Sequence, residues 1–303
     1  MRTLSFEETM ETLSSGVVGT VTDRAVISVT GPDARSYLQG QISQDLLSLE
    51  PGDSVDALVL TPQGKLDAYV RVALVSDEEL LLDVEPAYGE ATLERLRRFK
   101  LRVKATIELR TEPMVSLRGP KSESLVAPGR HDEAFAHVVA WPGLSGVDLV
   151  GASAALPAGV DLGDPAALEV ARITAGWPRM GHELTEQTIA AAAGIVERTV
   201  SFSKGCYTGQ ELVARLDSRG NRVPLRLEGF VAASTGGDLP DDEAQLMLGD
   251  KSVGHVTSAA FDPTRGVVVG LCYLRREVEV PAECRITLPG GEVAAQLVAL
   301  PIG

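Results

Sequence analysis

The chain has 303 residues, a formal net charge of −14, 44% hydrophobic residues and 23% charged residues. That length and balance suit a soluble globular protein of two or three domains, and the acidity repels a phosphate backbone, so direct nucleic-acid binding is not expected as its main activity. No run of about 18 apolar residues marks a transmembrane helix. Met1–Glu8 lack the apolar core of a secretory signal. The three cysteines, Cys206, Cys272 and Cys284, form no C-x-x-C pair, so reduced thiols in the cytoplasm are expected, with neither a disulfide framework nor a metal site.

Along the chain, residues 24–31 predict a strand that ends at Gly31-Pro32, with Asp33 capping a helix that carries Ala34, Leu38 and Ile42 on one face. Val55–Thr61 and Lys65–Val75 predict two strands around the turn Pro62-Gln63-Gly64. Leu80–Val84 is a further strand, Pro86–Phe99 a helix, and Val103–Leu109 a strand. This β-α-β-β-α-β order is that of a ferredoxin-like or split βαβ unit. The basic run Arg95, Arg97, Arg98, Lys100, Arg102 and Lys104 reads as a solvated helix face leading into that last strand.

A second, fainter unit follows. Met114–Leu117 is a strand, and Gly119-Pro120-Lys121 repeats the Gly31-Pro32-Asp33 pattern at a strand end, which hints at an internal repeat. Phe135–Ala140 and Gly146–Val150 are short strands, and Ala152–Gly163 is a loop. Asp164-Pro165 then opens a helix that runs to Gly176-Trp177-Pro178. Beyond a linker at Asn221–Pro224, the segments Leu225–Ala232, Glu243–Leu248, Gly254–Ser258, Gly266–Tyr273, Arg285–Leu288 and Val293–Leu300 read as strands. Turns such as Gly236-Gly237-Asp238 and Pro289-Gly290-Gly291 separate them, in the pattern of a small antiparallel barrel. The expected division is 1–110, 111–222 and 223–303.

The most informative stretch is Lys204-Gly205-Cys206-Tyr207-Thr208-Gly209-Gln210-Glu211. Leu212, Val213 and Leu216 follow at helical spacing, so Cys206 is expected in a glycine-hinged loop before a helix, where the helix dipole and Lys204 favour a thiolate. On spacing alone a buried, inert cysteine is an equal alternative.

The eight residues, with Val213-Ala214-Arg215 after them, resemble the signature K-G-C-Y-x-G-Q-E of the YgfZ-type folate-binding proteins, relatives of the glycine-cleavage T-protein (aminomethyltransferase). The resemblance extends over nearly the whole chain, through Val29–Ala34, Tyr37–Ile42, Thr61–Lys65, the R-x-x-A-G-x-P segment Arg172–Pro178 and the strand Val253–Ser258. It implies an α+β fold with three domains in a cloverleaf: two ferredoxin-like units and a C-terminal antiparallel β-barrel, around a folate-sized hole. It implies tetrahydrofolate or a reduced derivative as ligand, and a role as an accessory protein in assembling or repairing iron–sulfur clusters, including those of tRNA-modifying enzymes. Iron–sulfur client or assembly proteins would be its partners.

Within that frame Cys206 is the functional thiol and Lys204 its cationic neighbour. Tyr207 either stacks on a pterin ring or packs into the core, Gln210 offers a donor and an acceptor to a heterocycle edge, and Glu211 either meets the ligand or stabilises the helix start. Arg215 either binds ligand or pairs with Glu211 at i,i+4. Asp67, Tyr69 and Arg71 share one strand face that lines the hole or faces solvent. Arg172 and Trp177 are ligand contacts or, as readily, a packed stem and a core anchor. The T-protein's transfer aspartate aligns with Ala68 or Tyr69, and Thr174 stands where that group often has an acidic residue. With the cysteine motif, which the T-protein group lacks, these departures set a folate-dependent aminomethyltransferase second to the accessory role.

Overall fold

The computed structural model of the protein describes residues 1–233, 239–242 and 244–303. The turn expected at Gly236-Gly237-Asp238, and Glu243 at the head of an expected strand, lie outside the described residues.

Helix α1 (Phe6–Ser15) leads into strand β1 (Val18–Thr30), followed by α2 (Ala34–Gln39), β2 (Ser54–Leu60), β3 (Leu66–Ser76), β4 (Glu79–Val84), α3 (Gly89–Arg98) and β5 (Thr106–Arg118). Then come α4 (Ser122–Leu125), β6 (Gly129–His131), β7 (Ala134–Trp141), β8 (Leu144–Gly151), α5 (Pro165–Thr174), α6 (Val196–Thr199) and α7 (Gln210–Asp217). The C-terminal part contains β9 (Leu225–Ala233), β10 (Gln245–Leu248), β11 (Lys251–Asp262), β12 (Val267–Arg275), β13 (Ala282–Leu288) and β14 (Gly291–Val298). The class is α+β, as expected. Strands β1–β8 form one antiparallel sheet in the order β2-β3-β4-β1-β5-β8-β7-β6, and β9–β14 close into a six-stranded antiparallel barrel.

Strand β1 is the spine of the sheet. It pairs with β5 over its full length and with β4 from Ala25 to Thr30. Its alternation decides what each face does. Ala25, Ile27 and Val29 join the apolar core under α2 and α3, with Leu38, Val70, Leu82 and Leu96. Arg24, Val26 and Ser28 point to the opposite face, where charge is buried. A second apolar cluster around Val115, Leu117, Ala136 and Leu149 fills the other half of the sheet.

Strand β5 corrects one expectation. Val103–Leu109 and Met114–Leu117 read as two strands, yet one strand, Thr106–Arg118, passes through Pro113 and joins them. Pro113 sits opposite Asp23, just before the pairing of β5 with β8 begins at Met114. A residue without an N–H is tolerated where no second neighbour asks for one. The 110/111 division lies inside this strand, so both halves share one sheet. The Gly-Pro repeat has a geometric basis: Gly31 and Gly119, each following a sheet strand, have φ of 127° and 125°.

Asp33 does not cap α2 through its side chain; its Oδ2 accepts the backbone N–H of Lys104 at 2.7 Å instead. The helix expected from Pro86 opens with a 3₁₀ turn over Pro86–Tyr88 before α3. Asp164 does cap α5, accepting from the N–H groups of Ala166 and Ala167 at 2.9 and 3.0 Å. Helix α1 went unread in the sequence, although Ser5 and Glu8 form a reciprocal capping box at its start.

Candidate functional site

The cysteine loop is built by packing. Gly209 has φ of +84°, and a Cβ there would lie 2.5 Å from the carbonyl oxygen of Thr61, so only glycine lets the loop press on the β2–β3 turn. Lys204 donates from Nζ to the carbonyls of Gln39, Ile42 and Gln44 at 2.6, 2.8 and 2.7 Å. It therefore ties this loop to the segment after α2. Burial pushes its ammonium down to about 8, with the nearby Asp45 charge opposing that shift. Tyr207 is buried in the core with Leu58, Leu60 and Val213, and burial raises its hydroxyl to about 12. Gln210 Oε1 accepts the N–H of Tyr207 at 3.1 Å. Cys206 stands exposed on this scaffold.

A different place gathers ligand-like chemistry. On the polar face of the sheet, beneath the chain from Arg172 to Leu184, lies a cavity of ≈160 Å³. Both tryptophans of the protein line it, Trp141 from β7 and Trp177 after α5, with ring centroids 6.2 Å apart. Arg118 lies 4.8 Å from the Trp141 ring and Arg198 4.1 Å from the Trp177 ring. Nε1 of Trp141 and Nε of Arg118 are buried in the cavity without a hydrogen-bond partner, while the Tyr69 hydroxyl lies between the Asp56 carboxyl and the Arg198 guanidinium. Unpartnered buried donors cost about 1–3 kcal/mol each and call for an explanation, which an acceptor-bearing ligand supplies.

The cavity floor is a buried ion network. Asp83 accepts from Arg24 Nε at 2.8 Å and from Arg71 Nε and Nη2 at 2.8 and 3.0 Å. Asp148 bridges Arg71 and Arg118, the latter at 2.6 Å. Burial alone would raise the Asp83 carboxyl; Arg71, Arg24 and His137 instead hold it down to about 2. His137 is 3.6 Å from Asp83, and burial followed by Arg71 pushes its imidazole down to about 4, so it is neutral. Asp56, on β2 opposite Arg71, reaches the same cavity. Burial raises its carboxyl above the usual range, with Arg71 pulling the other way. Burial, then Asp56, raises the Tyr69 hydroxyl well above that of an ordinary phenol.

Arg172 and Glu183 seat the barrel against this cavity. All five N–H bonds of Arg172 are used: on Glu169 Oε2 and Oε1 (2.9 and 2.7 Å), the Trp177 carbonyl (2.6 Å), Glu183 (3.1 Å) and Ser258 Oγ (2.8 Å). Glu183 is fully buried and also accepts from the Arg179 N–H, Thr257 Oγ1 and Ser258 Oγ at 3.0, 3.0 and 2.6 Å. Thr257 and Ser258, on β11, are what carries this link into the barrel.

Of the expected site residues, Tyr69, Arg172 and Trp177 line the cavity, and Arg172 has no donor left for a ligand. Cys206, Lys204, Tyr207, Gln210, Glu211, Arg215 and Asp67 do not line it. The loop carrying the first six is held against the β2–β3 turn and the segment after α2. Glu211 and Arg215 are exposed on α7, and no ion pair joins them. Asp67 faces Arg95 at 3.4 Å, because the register of β3 turns Tyr69 and Arg71 inward at the deep end of the strand. Asp56, Arg118, Trp141 and Arg198 went unread. Asp56 carried a signal, a lone acid sharing a strand face with Leu58 and Leu60.

Comparison with known proteins bears on this arrangement. Residues 226–302 match the family described as the glycine cleavage T-protein C-terminal barrel domain. The aminomethyltransferase of Rubrobacter xylanophilus is 29% identical, over 91% of this chain and 80% of that protein. The tRNA-modifying protein YgfZ of Vibrio vulnificus is 28% identical, over 86% of this chain and 85% of that protein. The chain is a relative of YgfZ and the glycine-cleavage T-protein. The crystal structure of aminomethyltransferase T from Bartonella henselae superposes with a TM-score of 0.80 at 19% identity, covering 99% of this chain and 90% of that one, which establishes the shared fold. Among the described residues no helix is long and apolar enough to cross a membrane.

Proposed function

We propose that the central cavity holds the ring of a reduced folate, and that the protein is a tetrahydrofolate-binding accessory factor for iron–sulfur proteins, among them tRNA-modifying enzymes. The observation that carries the ligand is the pairing of two tryptophan rings with the buried, unpartnered N–H donors of Trp141 and Arg118 in one cavity. At ≈160 Å³ the cavity is smaller than the ~300–1,000 Å³ usual for whole drug-sized ligands, so it suits a ring system whose tail lies outside. In this reading Trp177 and Trp141 hold the ring, and Arg172 fixes Trp177 through its carbonyl. A bound reduced folate would supply one-carbon chemistry; the chain supplies orientation and exclusion of water. The YgfZ relative and the resemblance of the cysteine motif support the accessory role. Cys206, exposed away from the cavity, is the thiol we assign to a protein partner, with Lys204 shaping its loop.

Both tryptophans line the cavity, so intrinsic tryptophan emission reports on it alone. Titration with tetrahydrofolate should give a saturable change. At about a hundred times the dissociation constant, it should add about 2.7 kcal/mol to stability. No change at high micromolar ligand would refute the reading.

A folate-dependent aminomethyltransferase is the second reading, favoured by one observation: Asp56 places a carboxyl in the cavity although β3 has none at Ala68 or Tyr69. One-carbon transfer to tetrahydrofolate from an aminomethylated carrier, retained in Cys206→Ala and lost in Asp56→Ala, would select it.

A further inference from the structure

We infer that the basic end of α3 is a docking surface for an acidic segment of a partner protein, placed so that the segment meets Cys206. This rests on the assignment of Cys206 to a protein partner above and names the chemistry of that partner.

From Arg95 to Ile107 the chain carries six cations and no carboxylate, in a protein whose formal net charge is −14. Helix α3 ends at Arg98, and the run continues through a bend toward β5. Two of the six serve the fold: Arg95 faces Asp67, and Arg97 Nη2 donates to the Ile107 carbonyl at 2.7 Å. Arg98, Lys100, Arg102 and Lys104 are in no ion pair among the described residues, and all but Lys100 are exposed. The acid that follows the run, Glu108, faces Arg110 at 3.9 Å instead. Two apolar side chains stand among these cations, Phe99 at 41% exposure and Leu101 at 80%. Arg102 shapes the bend with a φ of 57°, a left-handed conformation that is costly for a residue with a Cβ.

The basic run and the thiol flank one segment of chain. Arg95 Nη1 donates to Gln41 Oε1 at 3.2 Å. Lys204 holds the carbonyls of Gln39, Ile42 and Gln44 in that same segment, and the Thr208 N–H reaches the Gly40 carbonyl at 3.2 Å. Cys206 stands exposed midway between these two anchors. Lys204 offsets Asp45, and on α7 Arg215 offsets Glu211, so the unpaired cations of α3 decide the sign of the local potential. Cations interleaved with exposed apolar side chains fit a carboxylate-rich protein segment that brings apolar residues of its own. A nucleic acid is the poorer complement. Stacking a base needs a free aromatic face, and the Arg95 guanidinium lies over the Phe99 ring, 4.0 Å from its centroid. The acidity of the rest of the chain also repels an extended phosphate backbone.

The test uses the folded protein and three peptides of equal length, each with one cysteine held as a mixed disulfide with 2-thiopyridine among glutamates, lysines or serines. The Cys206 thiolate attacks the peptide's cysteine sulfur, the peptide–thiopyridine S–S bond breaks, pyridine-2-thione leaves and a protein–peptide disulfide forms; thione absorbance gives the rate. Cys272 and Cys284 are buried, so the fast phase belongs to Cys206. At about 20 mM ionic strength the glutamate peptide should react about 10-fold faster than the lysine peptide, and at about 0.5 M salt the two should agree within about 2-fold. The net charge of the whole protein, taken alone, demands the opposite order. Combining Arg98→Ser, Lys100→Ser and Arg102→Ser should remove the glutamate advantage and leave the serine peptide's rate unchanged. Were that variant to misfold, the wild-type order and its salt dependence decide. Equal rates, a faster lysine peptide, or a glutamate advantage that survives the three serines overturns the inference and leaves Cys206 as the functional thiol. So does a single-stranded RNA that blocks the reaction while the glutamate peptide holds no advantage, since it assigns the surface to nucleic acid. A native protein that reacts with none of the peptides overturns the protein-partner assignment as well, and tetrahydrofolate binding is read separately from all of these.

Discussion

Replacing Glu183 with glutamine removes the charge on which the barrel is seated. Four donors converge on this fully buried carboxylate: Arg172 Nη1, the Arg179 N–H, Thr257 Oγ1 and Ser258 Oγ, at 3.1, 3.0, 3.0 and 2.6 Å. The single oxygen of a glutamine can keep two of them, and its NH₂ group turns toward the other two. Two buried donors left without an acceptor cost about 2–6 kcal/mol. Breaking a buried ion pair by removing one partner costs about 3–5 kcal/mol. Glu169 still neutralises Arg172 at 2.7 Å, which places the expectation near the low end, about 3 kcal/mol. That is a large fraction of the ~5–15 kcal/mol that holds a typical protein folded. Urea unfolding followed by tryptophan emission is the assay, and Trp177 reports from the hub because its carbonyl accepts from Arg172 at 2.6 Å. The midpoint should fall with the slope unchanged. A loss below about 1 kcal/mol would show that Glu183 does not seat the barrel, and would refute the reasoning.

Other consequences follow from the same structure. His137 is neutral in the fold, with its pKa depressed from 6.5 to about 4, whereas the unfolded chain charges it at the higher value. Below pH 6.5 protons therefore bind the unfolded chain more strongly, and stability is lost as pH falls from about 6.5 to about 4, by about 3 kcal/mol. His137→Gln should flatten that part of the stability–pH curve, and an unchanged slope would contradict it. Of the three thiols, Cys206 is exposed while Cys272 and Cys284 are buried, with burial raising Cys284 to about 11 and Cys272 further. Ellman's reagent should find one fast thiol in the native protein and three in denaturant; two fast thiols would contradict the burial. Lys204→Met removes three charge-assisted bonds from two loops and should cost about 2–3 kcal/mol in urea unfolding, with a changed rate of Cys206 modification. An unaltered rate would mean that Lys204 does not shape the thiol's loop.

The fold was legible where local chemistry and global packing agree. The alternation in β1, the β2–β3 turn and the Asp164-Pro165 start of α5 each carry their cause in a few residues. The Pro113 strand was not legible, because its tolerance depends on where β8 begins to pair, a fact of the sheet. Asp33 looked like a cap, yet Lys104, 71 residues on, brings the N–H that claims it. The cysteine motif singled out a loop in which Lys204, Gly209 and Gln210 act to hold the backbone together. The cavity was only half legible. Trp177 and Tyr69 stood out through resemblance, whereas Trp141, Arg118 and Asp56 are brought together by strands distant in the chain. Charged residues such as Arg24 and Arg71 on otherwise apolar strands were the available sign that one sheet face buries an ion network.

The most direct measurement is a crystal structure of the protein grown with tetrahydrofolate. Ring density in the cavity against the edges of Trp141 and Trp177, with its tail leading out of the cavity, is the expected result. Ligand density elsewhere, on the barrel or against Cys206, with the two tryptophans undisturbed, would contradict the assignment of this cavity.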